Sequence, residues 1–261
     1  MNVEKQELID ELHMIEKNQH VKILYACESG SRAWGFDSPD SDYDVRFIYV
    51  RFLKDYLRLE PLDDVINWKL DDVLDINGWD LKKALVLLSK SNPSIYEWFY
   101  SPIQYIKTDD YDEFMELLKS CFQPKKLMYH YMSMAKNNYQ TYIEGKHRVI
   151  LKKYFYVLRP LLAARWLIRY QTMPPIVFDE LCRILDEDSI KNVLRGLLDL
   201  KRDSDETYLI EPIKILNDFS ENELTVISKA IDNFDAVKYD ISSSINEFFI
   251  KAVRKYNDAI D

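Results

Sequence analysis

Asp42 and Asp44 lie two residues apart at the start of YDVRFIYV (residues 43–50), a stretch that alternates and ends in strand-forming residues. On a strand, residues i and i+2 point to one face, so the two carboxylates share a side. Held a few Å apart they repel, and each resists ionisation. A divalent cation relieves that repulsion, and paired hard oxygen donors suit Mg²⁺ or Mn²⁺. About a dozen residues upstream, Gly30-Ser31 follows VKILYAC (residues 21–27), which reads as a buried strand. Backbone N–H groups there and the Ser31 hydroxyl can hold a phosphate, and Gly30 has no Cβ to block its approach. A phosphate cradle this close to a cation-binding carboxylate pair is what phosphoryl or nucleotidyl transfer needs. Arg46, at i+2 from Asp44, shares the acidic face. Balancing the acids and contacting a phosphate are both open to it.

Two other readings of the acids are weaker. Asp40, Asp42 and Asp44 match positions 1, 3 and 5 of a calcium EF-hand loop, but position 6 is Val45 instead of Gly and position 12 is Arg51 instead of Glu. A turn rich in Asp, Ser and Pro accounts for Asp37, Ser38, Pro39 and Asp40. It does not account for alternate acids continuing into an apolar strand. The histidines, at 13, 20, 130 and 147, have no metal-ligand spacing, and neither a P-loop nor a Ser/His/Asp set is evident.

These groups must be positioned by a short α/β segment. Leu8, Ile9, Leu12 and Ile15 recur at helical spacing and predict a helix over 4–18. Further strands are expected over 64–70 and from Val73 to Ile76, before the Asn77-Gly78 turn. A helix follows over Trp79–Lys90, is broken at Asn92-Pro93, and resumes from Ser94 to Tyr100. From residue 124 the pattern is almost wholly helical, with helices expected near 125–143, 149–170, 176–185, 188–200, 221–233 and 237–256. The chain thus reads as a small α/β unit followed by a helical unit, with a boundary near residue 120.

Composition narrows the class. The 261 residues are 47% hydrophobic, enough for a sizeable core and unlike a disordered chain. No run approaches about 18 apolar residues, so no membrane span is expected. The N-terminus is acidic and amphipathic and lacks the basic and apolar regions of a secretion signal. Cys27, Cys121 and Cys182 are odd in number and far apart, which suits reduced thiols in the cytoplasm. Only 5 glycines occur, and three of them (Gly30, Gly35 and Gly78) fall in the first 80 residues beside aspartate clusters. The net charge of -9 hides a segregation: residues 1–120 carry -10, 121–170 carry +9 and 171–261 carry -8. A concentrated basic segment in an acidic chain is the pattern expected where an anion is held locally. Within it, Lys152, Tyr156 and Arg159 fall at i, i+4 and i+7 and share one helix face, which can bind a triphosphate and meet a base or sugar. The alternative is that Tyr154, Phe155, Leu158, Leu161 and Leu162 form the core stripe of that helix and its charges are simply solvated.

The string GSRAWGFDSPDSDYDVR resembles the signature of the DNA-polymerase-β-like nucleotidyltransferase superfamily, Gly-Ser followed by Asp-x-Asp on a strand. With DINGWDLKKAL, SNPSIYEWFYSPI and KKYFYVLRPLLAARW, it is most similar to the bacterial and phage branch described as the RNA repair pathway DNA polymerase β family. The resemblance runs from about residue 20 to about residue 180. It implies an α+β fold, with a small mixed-sheet, palm-like catalytic domain over 1–120 and a helical domain over 121–261 that completes the nucleotide site. It implies a third carboxylate on a later strand, which Leu74-Asp75-Ile76 fits; Asp80 is the alternative, and Lys153 is the alternative to Lys152. It further implies Mg²⁺ or Mn²⁺ on Asp42, Asp44 and Asp75, and a nucleoside triphosphate held by Gly30, Ser31, Lys152, Tyr156 and Arg159, with Arg46 nearby. The acceptor is then a hydroxyl on RNA or tRNA. A nucleotide-binding toxin–antitoxin or defence module without turnover is the alternative, as is transfer to a protein or small molecule.

Overall fold

The computed structural model describes residues 3–71, 73–234 and 242–257. The apolar spacing at the N-terminus forms α1 (Lys5–Gln19), which buries Leu8, Leu12 and Ile15. The chain continues through β1 (Val21–Glu28), α2 (Gly30–Trp34), β2 (Tyr43–Arg51), α3 (Leu53–Tyr56), β3 (Val65–Leu70) and β4 (Leu74–Asp80). Next come α4 (Leu81–Ser89), α5 (Pro93–Phe99), β5 (Gln104–Lys107), α6 (Tyr111–Cys121), α7 (Pro124–Tyr142) and β6 (Val149–Ile150). The remaining elements are α8 (Lys152–Tyr170), α9 (Phe178–Leu181), α10 (Asp188–Arg202), β7 (Leu209–Ile210), α11 (Lys214–Asp232) and α12 (Ser242–Asn257). Among the described residues, no helix is long and apolar enough to cross a membrane.

The fold is α+β, and the chain divides into two compact units. One comprises Met1–Gly30, Asp42–Phe122 and Lys238–Asp261; the other comprises Ser31–Ser41 and Gln123–Val237. In the first, five strands form a mixed sheet in the order β3-β4-β2-β1-β5. Strands β2 and β4 are parallel, and the other neighbours are antiparallel. Alternate residues of β2 (Tyr43, Val45, Phe47 and Tyr49) pack with Leu8, Leu12 and Ile15 of α1. The intervening residues point to the other face. There Ile48 meets Phe99 of α5, Phe114 of α6 and Phe248 of α12, while Asp44 and Arg46 occupy the start of the strand. One strand thus supplies a core stripe on one face, and a core plus a charged pair on the other.

The second unit is helical, as its sequence predicts. Helix α8 carries Pro160 in its interior. Proline has no N–H, so the carbonyl of Tyr156 loses its helical donor. Asn138 of α7 replaces it, with Nδ2 donating to that oxygen at 3.1 Å. The helix therefore continues past the proline with its backbone acceptor satisfied.

Several boundaries differ from the sequence expectation. The helix predicted from 149 begins at Lys152, because Val149 and Ile150 pair with Ile210 and Leu209 as a two-stranded ribbon. The helix near 176–185 is shorter, α9 followed by a 3-10 turn over Cys182–Ile184. The helix near 221–233 starts earlier, at Lys214. The helix near 237–256 is α12, and the expected residues 237–241 lie outside the described residues. Strand β5 and helix α6 were not anticipated. The four-residue β5 gives almost no pattern, whereas Phe114, Leu117, Leu118 and Cys121 of α6 do keep helical spacing.

Gly78 of β4 sits against the ring of Phe47, and a Cβ there would lie 2.1 Å from Cε2 of that buried side chain. Gly78→Ala is expected to cost about 1–3 kcal/mol through forced repacking. A denaturant midpoint equal to the parent's would show that Phe47 moves aside freely.

Candidate active site

Asp44 of β2 and Asp75 of β4 are directly paired in the parallel register. Neighbours in a sheet project their side chains to the same face only about 5 Å apart. Two carboxylates so placed need a cation, and Arg46 supplies one. Its Nη2 donates to Oδ1 of Asp44 and to Oδ2 of Asp75, both at 2.7 Å. Its Nη1 donates to the backbone oxygens of Asp75 at 2.7 Å and Val45 at 3.2 Å. Burial pushes the Asp44 carboxyl up, and Asp42 and Asp75 push the same way against the pull of Arg46, leaving it at about 6. Asp42 is half-buried just ahead of β2. Asp42, Asp44, Asp75 and Arg46 all belong to the first unit.

The backbone of Asp44 is held at both polar groups. Its N–H donates to Oε1 of Glu28 at 2.8 Å, and its carbonyl accepts from the N–H of Ser29 at 2.8 Å. Glu28 is almost wholly buried, and the Tyr105 hydroxyl donates to its second oxygen. Sequence reasoning passed over Glu28 because both partners are remote in the chain. Its only local signal is an acid ending an apolar strand. Gly30 closes this corner with φ +60°, and a Cβ there would lie 1.8 Å from Oδ2 of Asp44. The absence of a side chain is therefore required by the carboxylate as well as by the backbone.

The segment Ser31–Ser41 belongs to the second unit. Phe36 stacks on Phe155 with ring centroids 4.8 Å apart and meets Phe178 edge-on at 5.6 Å. Trp34 lies under the guanidinium of Arg159 at 4.3 Å and edge-on to Tyr156 at 6.3 Å. Arg159 is buried, only 4% exposed. Of the residues expected to hold the nucleotide, Tyr156 and Arg159 thus converge on one tryptophan. Lys152 makes an ion pair with Oε2 of Glu206 at 2.8 Å, and Lys153 lies over the rings of Tyr142 and Tyr156. Ser31 is half-buried, and its backbone oxygen accepts from the N–H of Phe36 at 3.1 Å.

Glu206 is the centre of a polar knot. Its Oε1 accepts from Lys201 Nζ at 2.8 Å, Ser41 Oγ at 2.7 Å and Ser38 Oγ at 3.0 Å. Lys201 is 1% exposed and also donates to Ser38 Oγ at 2.7 Å. Burial pushes the Glu206 carboxyl up, but hydrogen bonds from Lys152, Lys201 and Ser41 outweigh it and hold it at about 2. Arg32 adds a bond from Nη2 to the carbonyl of Ser41 at 2.7 Å, closing the segment on itself.

Asp80, the alternative third carboxylate, pairs with Tyr49 in the register, five positions beyond Asp75. It caps α4, accepting from the N–H of Lys82 at 2.8 Å, and accepts from the Tyr56 hydroxyl at 3.0 Å. Its oxygens are committed to structure.

Among the described residues, no group of three or more His, Cys, Asp or Glu side chains stands in a ready-made metal-holding arrangement. The donors nevertheless fit a hard cation. Oxygens of Asp44 and Asp75 converge on one positively charged atom, so they lie no more than twice 2.7 Å apart. The raised Asp44 carboxyl reports the same demand for positive charge.

The sequence matches a described family. The model of the RNA repair pathway DNA polymerase β family matches residues 5–251, and the chain belongs to that family. It is a DNA-polymerase-β-like protein. It is also similar to the uncharacterized protein YcgL of Bacillus subtilis (strain 168), with 43% identity over 253 residues, spanning 96% of this chain and 97% of that one. A solved nucleotidyltransferase-like protein from Exiguobacterium sibiricum aligns over 95% of this chain and 80% of its own, at 12% identity and a TM-score of 0.33.

Two outcomes follow from these contacts. Gly30→Ala is expected to displace Asp44 and lower the melting temperature, and a crystal structure of the variant with Asp44 unmoved would contradict it. Glu206 sits below its ordinary value of 4.5, so its stabilisation is present above about pH 4.5 and is lost as pH falls toward 2. Glu206→Gln should therefore cost about 2 kcal/mol at pH 7, below the roughly 3–5 kcal/mol of a fully buried broken pair because Glu206 is partly exposed while Lys201 is not. The gap to the parent should narrow by pH 3, as read from urea unfolding at both values.

Proposed function

We propose that the protein is a metal-dependent nucleotidyltransferase that moves a nucleoside monophosphate from a nucleoside triphosphate to a hydroxyl on RNA. The observation that carries this is the in-register pair Asp44 and Asp75, with Asp42 on the same strand approach and the bare Gly30 against Asp44. Asp42, Asp44 and Asp75 are the residues that would hold Mg²⁺ or Mn²⁺. Such an ion, when bound, lowers the pKa of an acceptor hydroxyl and neutralises charge on phosphate oxygens. In the reaction, a bond forms between the acceptor oxygen and the α-phosphorus. The α–β bridging bond breaks, pyrophosphate leaves and the hydroxyl proton passes to solvent.

The protein's own groups bind and orient. Glu28 fixes the backbone of Asp44, and hence the direction of its carboxylate. Gly30, lacking a side chain, lets its backbone pack directly against the Asp44 carboxylate. Ser31, Lys152, Tyr156 and Arg159 are assigned to nucleotide contacts, with Lys152 exchanging Glu206 for a phosphate oxygen. RNA as the acceptor is supported by the family's description and by the charge of +9 over residues 121–170. Phosphate contacts by that segment would make RNA binding fall steeply with salt.

Incubation with labelled nucleoside triphosphates, Mg²⁺ and total RNA tests the proposal. Label is expected in RNA, and Asp42→Asn and Asp44→Asn should each lower transfer by at least about a thousandfold with the fold retained. Label in protein would redirect the acceptor. Undiminished transfer by both variants would sink the catalytic assignment.

A further inference from the structure

We infer that Arg46 is a resident cation of the acidic pair, and that a divalent ion engages Asp44 and Asp75 only by displacing its guanidinium. The inference rests on the metal-dependent reading above. One guanidinium nitrogen makes both carboxylate contacts, so Arg46 and an incoming ion compete for Asp44 Oδ1 and Asp75 Oδ2. These are the two oxygens that already converge on one point, where an ion bridging both carboxylates would sit. A divalent ion bound there with Arg46 in place would lie within a few Å of a fixed positive charge, in a site where the side chains are only 17–25% exposed. Repulsion at that separation is poorly screened. The guanidinium cannot relieve it by losing a proton. The two occupants are therefore mutually exclusive.

The remaining contacts of Arg46 raise the cost of displacing it. Nη1 bonds the backbone oxygens of Asp75 and Val45, which an ion on the carboxylates does not need. Because Nη1 and Nη2 belong to one rigid group that shares its charge, moving that charge away from an ion breaks these bonds as well. Arg46 thus keeps Asp44 and Asp75 together without metal and sets the ion concentration at which the site loads. A neutral residue of similar length would leave the carboxylates in register but uncompensated, and the ion would meet no competitor.

Titration of the full chain with Mn²⁺ alone, followed by electron paramagnetic resonance of the free ion, tests this without reference to turnover. Arg46→Gln is expected to bind Mn²⁺ at least tenfold more tightly than the parent, a difference of 1.4 kcal/mol. Adding Asp75→Asn to that variant should remove the gain. Arg46→Lys keeps the charge on a more mobile stem and should fall between the two. Without metal, Arg46→Gln should melt below the parent, and Mn²⁺ should raise its melting temperature by more than it raises the parent's. If Arg46→Gln does not fold, the lysine variant decides alone: affinity no tighter than the parent's overturns the proposal. Equal or weaker binding by a folded Arg46→Gln, with the parent binding Mn²⁺, overturns the competition and leaves the metal-dependent reading standing. Binding by neither protein overturns both.

Discussion

Two carboxylates placed side by side on adjacent parallel strands would drive those strands apart unless something positive stood with them. Arg46 answers that constraint from within the sheet. It projects from the same face as Asp44 and reaches across to Asp75, with both oxygens at 2.7 Å. The pairing of β2 with β4 is what brings the acids together, and the arginine is what makes the pairing tolerable. Glu28 of the neighbouring β1 then holds the backbone of Asp44, and Tyr105 of β5 holds Glu28. Buried polar groups of this kind are costly unless every partner is present. Here the partners come from β1, β2, β4 and β5, so four of the five strands are committed to one corner.

The second unit uses a different economy of contacts around the segment Ser31–Ser41. Trp34 and Phe36 bury its apolar side chains against α8 and α9, while Ser38 and Ser41 bind the Lys201–Glu206 pair. Apolar burial supplies the affinity, and the polar knot selects one arrangement of the loop. Replacing the knot by apolar residues need not destabilise the unit. It would remove the directional bonds that tell Ser38 and Ser41 where to sit.

Much of this was legible in the chain, and the rest was hidden for identifiable reasons. Alternation alone put Asp42, Asp44 and Arg46 on one face, because strand periodicity is local. The bridging role of Arg46 was one of two options left open, since the choice depends on which strand lies beside β2. No local rule supplies the parallel register that pairs Asp44 with Asp75. The family resemblance pointed to Asp75, and the capping contacts of Asp80 come from Lys82 and Tyr56, the latter 24 residues away. Glu28 escaped notice because its carboxylate partners are 16 and 77 residues distant. Lys201 did leave a trace: it follows Leu194, Leu197 and Leu198 at helical spacing and so falls on the buried stripe of α10. A lysine on such a stripe needs a partner, and the nearby Glu206 is that partner.

The first unit is discontinuous in the chain, and its last piece is α12. Phe248 meets Phe114 edge-on at 5.4 Å, and Phe249 meets Tyr56 at 5.2 Å. Lys255 and Tyr256 donate to the buried Asp110 at 2.9 and 2.6 Å. Synthesis runs from the N-terminus, so the sheet bearing Asp44 and Asp75 emerges early but its flank stays uncovered until α12 arrives. A nascent or prematurely terminated polypeptide therefore presents an uncovered apolar flank, a state that quality-control machinery can recognise. Only a chain translated through α12 has that flank covered.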